Sequence, residues 1–236
     1  MKKLLLLALL LWGAGNLHAQ TQVVEKTLAL PASQKVSLNL KFGNDIKITA
    51  WDKKEAYVKV TYEINEGKLN EAFLLSFDPS ADVLKVTADL DHELMRKTTR
   101  TQACPEGHNN NSSYIKNGEV IQTTCTFITY EIFLPRNADL TLETISANIE
   151  LRGLTGTVNA KSISGFVDMD WSPKAGASVA MKTITGEVFS DLDIALRTKR
   201  QEASYVGYQL KGDVNDGGPS INLETISNNI YFRRKK

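Results

Sequence analysis

Leu140-Thr-Leu-Glu-Thr-Ile-Ser-Ala-Asn-Ile-Glu-Leu151 sets the reading of this chain, because three further segments align with it without gaps. They are Val158-Asn-Ala-Lys-Ser-Ile-Ser-Gly-Phe-Val-Asp-Met169, Val179-Ala-Met-Lys-Thr-Ile-Thr-Gly-Glu-Val-Phe-Ser190 and Ile221-Asn-Leu-Glu-Thr-Ile-Ser-Asn-Asn-Ile-Tyr-Phe232. The shared pattern is apolar-x-apolar-x-hydroxyl-Ile-hydroxyl-small-x-aliphatic-x-apolar. Ile145, Ile163, Ile184 and Ile226 fall 18, 21 and 42 residues apart, the last gap being twice the one before. A period near 20 suits the coil of a β-solenoid, since helical repeats run beyond about 30 residues. The doubled gap predicts one degenerate coil around Ser204 to Lys211.

Side chains along a strand alternate strictly between its two faces. Leu140, Leu142 and Thr144 share one parity, and Ile145, Ile149 and Leu151 the other, in a flip that recurs in every copy. A one-residue change of phase means that the chain turns a corner, with Gly165, Gly186 and Asn228 suited to the turn. Stacked coils are then expected to place Ile145, Ile163, Ile184 and Ile226 in one interior column. Thr144, Ser162, Thr183 and Thr225 form a hydroxyl ladder beside it, and Glu143, Lys161, Lys182 and Glu224 an outward charged one.

Working outward, residues 20–135 are also strand-rich, with alternation at 36–42 and 46–48, and further strands at 56–64, 73–77, 83–90 and 122–134. Across Gly43-Asn44-Asp45 the parity does not flip, which fits a diverged copy or a hairpin equally. Glu66 to Ala72 is expected to form a short helical turn. Cys104 and Cys125 flank a polar, Asn-rich stretch and are expected to form a disulfide that staples a loop insertion, 104–125, to its neighbouring strands. Asn110 and Asn111 each open a glycosylation sequon.

The N-terminus reads Met1-Lys2-Lys3, an apolar run from Leu4 to Trp12, and then small and polar residues to Ala19, the pattern of a secretory signal peptide over 1–19. The run is too short to span a bilayer, so no transmembrane anchor is expected. Its removal lowers Lys plus Arg from 28 to 26 against 27 acidic residues. Such a balance carries no field to gather nucleic acid, whose binding depends on clustered Lys and Arg. The sequence thus divides into a signal peptide and one all-β unit, 20–236: a strand-rich part, 20–135, and repeat coils, 136–236.

The Thr-Ile-Ser-Gly-like turns, Leu134-Pro135 before the first coil, and Gly217-Gly218-Pro219 before the last resemble a bacterial domain family of unknown function, the "putative adhesins" with β-strand repeats. The resemblance runs from about Asn39 to the C-terminus and implies an exported envelope β-solenoid. It carries no active-site residues. Ala147 and Asn228 stand where the family more commonly has Gly.

Asp168, Asp170, Asp191 and Asp193 are the carboxylates that would serve a sugar-cleaving β-helix enzyme. Their turn-adjacent or outward positions read instead as solvated acids, so no catalytic residue, metal or cofactor is expected. Phe166, Phe189 and Tyr231 are the candidate interaction surface: outside the stack they would stack on sugars or bury in a partner, and inside they would pack on a cap or loop. The function expected is a non-catalytic surface protein with a glycan or protein partner, the alternatives being a ligand-free structural or regulatory periplasmic domain and a carbohydrate-active enzyme. An unpaired terminal coil also invites homo-oligomerisation.

Overall fold

The computed structural model describes residues 21–80, 82–97, 103–116, 119–197 and 208–235; the segment expected to be a signal peptide lies outside these. Alternating apolar and polar residues produce strands almost throughout. The first seven are β1 (Gln22–Ala29), β2 (Lys35–Leu40), β3 (Phe42–Trp51), β4 (Glu55–Ile64), β5 (Phe73–Pro79), β6 (Leu84–Leu90) and β7 (Asn109–Lys116). There follow β8 (Glu119–Pro135), β9 (Asp139–Thr144), β10 (Ser146–Arg152), β11 (Val158–Ser162), β12 (Val167–Trp171), β13 (Ala177–Thr183) and β14 (Val188–Ser190). The last are β15 (Ile194–Leu196), β16 (Tyr208–Val214), β17 (Ser220–Thr225) and β18 (Ile230–Arg234). A short helix, α1 (His92–Lys97), starts at Asp91, whose carboxylate accepts from the Glu93 and Leu94 amides. The expected turn at 66–72 appears as a 3-10 turn at Asn70–Ala72.

Two mixed nine-stranded sheets share one apolar core. Sheet A runs β1-β4-β8-β3-β10-β12-β18-β14, with β7 also on β8; sheet B runs β15-β16-β13-β17-β11-β9-β2-β6-β5. Each repeat contributes one strand to each sheet: β9 with β10, β11 with β12, β13 with β14, and β17 with β18. Within both sheets these strands are parallel and in register, so that Leu142, Ala160, Leu223 and Met181 line up, as do Ile149, Val167, Ile230 and Val188. Antiparallel strands flank the parallel middle: β1, β4 and β5 at one end, β15 and β16 at the other.

The interior isoleucine column is corrected by the coordinates. Ile145 and Ile163 are 38% and 39% exposed, and Ile184 and Ile226 are half-buried. The buried residue at the corner is the hydroxyl before each isoleucine. A chain that turns leaves backbone carbonyls without ladder partners, and a small hydroxyl inside the bend can donate to them. Ser162 Oγ donates to the Ala147 carbonyl (3.0 Å), Thr225 Oγ1 to that of Gly165 (2.8 Å) and Thr183 Oγ1 to that of Asn228 (2.8 Å), each on the adjacent coil. The second hydroxyl works outside the bend: Ser164 donates to the Ile145 carbonyl, Ser227 to Ile163 and Thr185 to Ile226. The isoleucine between them is left on the outer corner. Gly165 belongs there because a Cβ would sit 1.8 Å from the Ala147 carbonyl oxygen.

These bonds run in the spatial order Ile145, Ile163, Ile226, Ile184, which is not chain order. The last repeat, β17–β18, is inserted between β11–β12 and β13–β14. Among the described residues the doubled spacing holds the antiparallel strands β15 and β16 and no further parallel repeat. Described residues 208–211 begin β16, which runs antiparallel to β13 at the end of sheet B; residues 204–207 lie outside the described set. The N-terminal pair β2–β3 is a diverged copy, parallel to β9–β10. Its parity does not flip because Gly43 and Asn44 stand opposite the single residue Ala147, a bulge that restores the phase.

The expected loop insertion is instead an arm of sheet: β7 pairs antiparallel with the long β8, and the Cys104–Cys125 disulfide closes it. Asn44 donates to the Gly107 carbonyl and Asn109 to that of Gly43, docking the arm on the bulge.

Ile163→Ala is expected to lower unfolding free energy by about 1 kcal/mol, whereas Ile149→Ala, at a position with no exposed surface, should cost roughly 3 kcal/mol. Urea titrations compare them directly, and equal losses would contradict the corner assignment. Replacing both cysteines with serine opens a loop with a sequence separation of 21 and should cost about 3 kcal/mol in the same titration.

Candidate interaction surface

Residues that alternate with the core point outward, and in-register pairing lines them up in rows across the strands. On sheet A one row runs Lys59, Glu131, Lys47, Glu150, Asp168, Tyr231, Phe189. Its charges alternate until Glu150 meets Asp168, where two acids stand side by side and would repel. Arg152, one position along, resolves this. Its guanidinium donates to Glu150 (3.2 Å) and to both carboxylate oxygens of Asp168 (3.1 and 2.8 Å).

Arg233 on the inserted strand β18 clasps Asp168 from the other side through Nε (3.0 Å) and a terminal nitrogen. Asp168 is buried beneath these cations although it lies on the outer face. Burial alone pushes its carboxyl up, but the hydrogen bonds and charges of Arg152 and Arg233 outweigh that and hold it below the usual Asp range. The expectation of a solvated acid is therefore corrected for Asp168. Asp170 accepts from the Gly153 amide (2.6 Å) and Asp191 from the Arg234 amide (2.6 Å), while Asp193 is exposed. Three of the four carboxylates are thus committed to holding strands and loops together.

Beyond Asp168 the row turns aromatic, and here the three residues singled out from sequence come together. Phe189 stacks on Tyr231 with ring centroids 5.4 Å apart and planes at 13°, and Phe166 meets Tyr231 edge-on at 6.2 Å. Arg233 lies over the Tyr231 ring, and Asn229 donates to its hydroxyl, so the central ring is fixed on both sides. Phe189 is 43% exposed and sits on β14, the last strand of sheet A among the described residues. Packing on one another and exposure toward solvent therefore hold at once.

A second aromatic group at the other end of the same face was not anticipated. Trp51 packs on Phe133 (5.4 Å) and Tyr57 (6.4 Å), with Tyr57 and Phe133 6.0 Å apart. The outward parity of Phe133 and Tyr57 within their strands was the signal that pointed to it. Sheet B presents a different outer face. Insertion of β17 makes its row Glu143, Lys161, Glu224, Lys182 alternate fully in sign, with Glu224 3.7 Å from Lys161 and 4.0 Å from Lys182. Among the described residues there is no cluster of three metal-ligating side chains, and no helix is long and apolar enough to cross a membrane.

No protein-family model and no curated protein matches the chain. Among solved structures, one described as a "putative cell adhesion protein" from Clostridium sporogenes is similar at a TM-score of 0.55 and 12% identity, over 92% of this chain and all of the other. A "putative adhesin" from Bacteroides fragilis aligns over 92% of this chain and 99% of its own, at 8% identity and a TM-score of 0.32. The Clostridium structure supports the all-β fold.

The sign of the Asp168 effect follows from its lowered pKa. Its stabilisation is complete above the unfolded value near 4 and is lost as pH falls through the folded value below that. Asp168→Asn is expected to cost roughly 2 kcal/mol at pH 7. It should also flatten the fall in melting temperature of the wild-type protein between about pH 5 and pH 2. An unchanged acid limb in the variant would contradict the assignment.

Proposed function

We propose that the chain is a non-catalytic, exported cell-envelope or surface protein whose 20–236 unit is a β-solenoid with interleaved coils, presenting the outer face of sheet A to a glycan or protein partner. The observation that carries this reading is the aromatic patch Phe166–Tyr231–Phe189, in which Tyr231 on β18 and Phe189 on β14 stack, Phe166 meets them from the turn before β12, and Phe189 is exposed. Aromatic rings held in place on a sheet bury large apolar area with little loss of side-chain freedom, which is what sugar stacking and protein docking both use.

The signal-peptide pattern over 1–19 and the disulfide fit export to an oxidising compartment. The fold shared with the Clostridium protein, described as a cell adhesion protein of putative standing, is consistent with a surface role. The engagement of Asp168, Asp170 and Asp191 by arginines and backbone amides speaks for scaffold rather than acid–base chemistry. The short edge strand β14 offers backbone groups at which a second copy could pair.

A glycan array and an envelope-fraction pull-down with the wild-type protein should each be repeated with Phe189→Ser and with Phe166→Ser. Loss of the captured partner in both variants, with unchanged melting temperature, is the expected result. Retention of all binding in both would remove the patch from the function.

A further inference from the structure

At the corner where strands of sheet A hand over to sheet B, a cleft of about 420 Å³ is lined by Gln34, Trp51, Asp52, Lys53, Arg136 and Asn137, with Lys54 and Pro135 at its edge. Trp51 is fixed in it. Its indole N–H donates to the Glu55 carbonyl (2.8 Å), and its ring packs on Phe133. The Lys53 ammonium lies 4.6 Å from the indole centroid and only 3.9 Å from the Glu55 carboxylate.

Charge around the cleft exceeds what its own acids use. Arg136 contacts Asp52 through Nε alone (2.7 Å), and Lys54 and Lys235 have no carboxylate partner among the described residues. Gly153, with φ +74°, leaves bare backbone between β10 and β11 beside this cluster. A side chain there would come within 3.3 Å of Lys235 Nζ and 3.6 Å of an Arg136 terminal nitrogen, so both cations gather over that spot. Three cations, Lys53, Lys54 and Arg136, thus line the cleft with one acid, Asp52, while Lys235 and the Asp170 carboxylate lie beside Gly153. Gln34 and Asn137 add amide groups of the kind that pair with hydroxyls.

We propose that this cleft binds an acidic saccharide, a sugar bearing carboxylate or sulfate. The pyranose ring would take the place of the exposed Lys53 ammonium over the Trp51 indole, and its anionic group would hold the displaced ammonium and the second arm of the Arg136 guanidinium. Fixed indole, forked donor and exposed ammonium together favour an anionic sugar over a neutral one, since charge-assisted hydrogen bonds are about twice as strong as neutral ones. They also favour a sugar over a bare anion, for which the ring would serve nothing. The site lies apart from the Phe189 patch and does not rest on it.

The test titrates the purified protein by calorimetry with three probes: trigalacturonate, a heparin-derived tetrasaccharide and neutral maltotriose. Intrinsic tryptophan fluorescence, to which Trp51 and Trp171 both contribute, is followed in parallel. One or both acidic probes should bind, with affinity falling as salt is raised, and the arm that binds tells carboxylate from sulfate. Arg136→Gln and Trp51→Ala should each weaken that binding about tenfold, while Phe189→Ser leaves it unchanged. Arg136 is half-exposed, so its variant remains informative even if Trp51→Ala unsettles the outer face. The proposal is overturned if neither acidic probe binds, if maltotriose binds as tightly as they do, or if Arg136→Gln binds like the wild type.

Discussion

The fold depends on how the corner between the two sheets satisfies its backbone. A strand crossing from one sheet to the other must change direction, and at the bend carbonyls lose their ladder partners. An unpaired buried carbonyl costs about as much as a lost hydrogen bond. The buried hydroxyls Ser162, Thr225 and Thr183 answer this by donating across to the next coil, and the outer hydroxyls Ser164, Ser227 and Thr185 do the same from the other side of the turn. Every bond joins one repeat to its neighbour. The corner is therefore both the place where each repeat bends and the place where neighbouring repeats are held together.

That constraint explains what was legible in the sequence and what was not. Repeats, strand parity, the all-β class and the disulfide follow from local rules, and each left a mark on the chain. The corner did so too, but its mark was read with the wrong residue inside. Isoleucine is the more apolar neighbour of a threonine, so Ile145 was placed in the core; the bend puts Thr144 there because it can donate, and apolarity loses to carbonyl satisfaction. The order of the repeats left a mark only in the outward charges, since Glu143, Lys161, Lys182 and Glu224 alternate in sign only if the last copy lies between the second and the third. The shared pattern itself presents equivalent edges in every copy. At the surface, Phe166, Phe189 and Tyr231 were found because their parity was visible. Trp51 and Arg136 were missed because their cleft joins residues from three separate turns, Gln34, 51–54 and 135–137.

The out-of-order insertion also shapes the electrostatics. With β17 between β11 and β13, the outer row of sheet B alternates Glu, Lys, Glu, Lys; in chain order its two lysines would have been adjacent. On sheet A the same insertion carries Arg233 alongside Asp168, giving that carboxylate its second guanidinium. Breaking the Arg233 contact would leave the buried Asp168 carboxylate without its full complement, a larger loss than that of an exposed pair such as Lys161–Glu224. The charged faces therefore record the spatial order of the coils as the hydroxyl bonds do.

Stacks of repeats usually gain stability from near neighbours only, so they can form from any point and lose units from an end. This chain departs from that scheme. β14 has β18 as its sole sheet partner among the described residues, and β18 belongs to the last repeat of the chain. At the other end β2–β3, the first coil in sequence, lies between β9–β10 and the later strands β6 and β8. One end, β2–β3, is thus covered by strands later in the chain, while at the other β13 is covered by its near successors β15 and β16, and the last repeat is wedged inside rather than added outside. The third repeat cannot complete sheet A until the C-terminal strand has arrived, so contacts within the repeat region follow an order in space that differs from the order of the chain, and the antiparallel strands are left to cover the outer repeats.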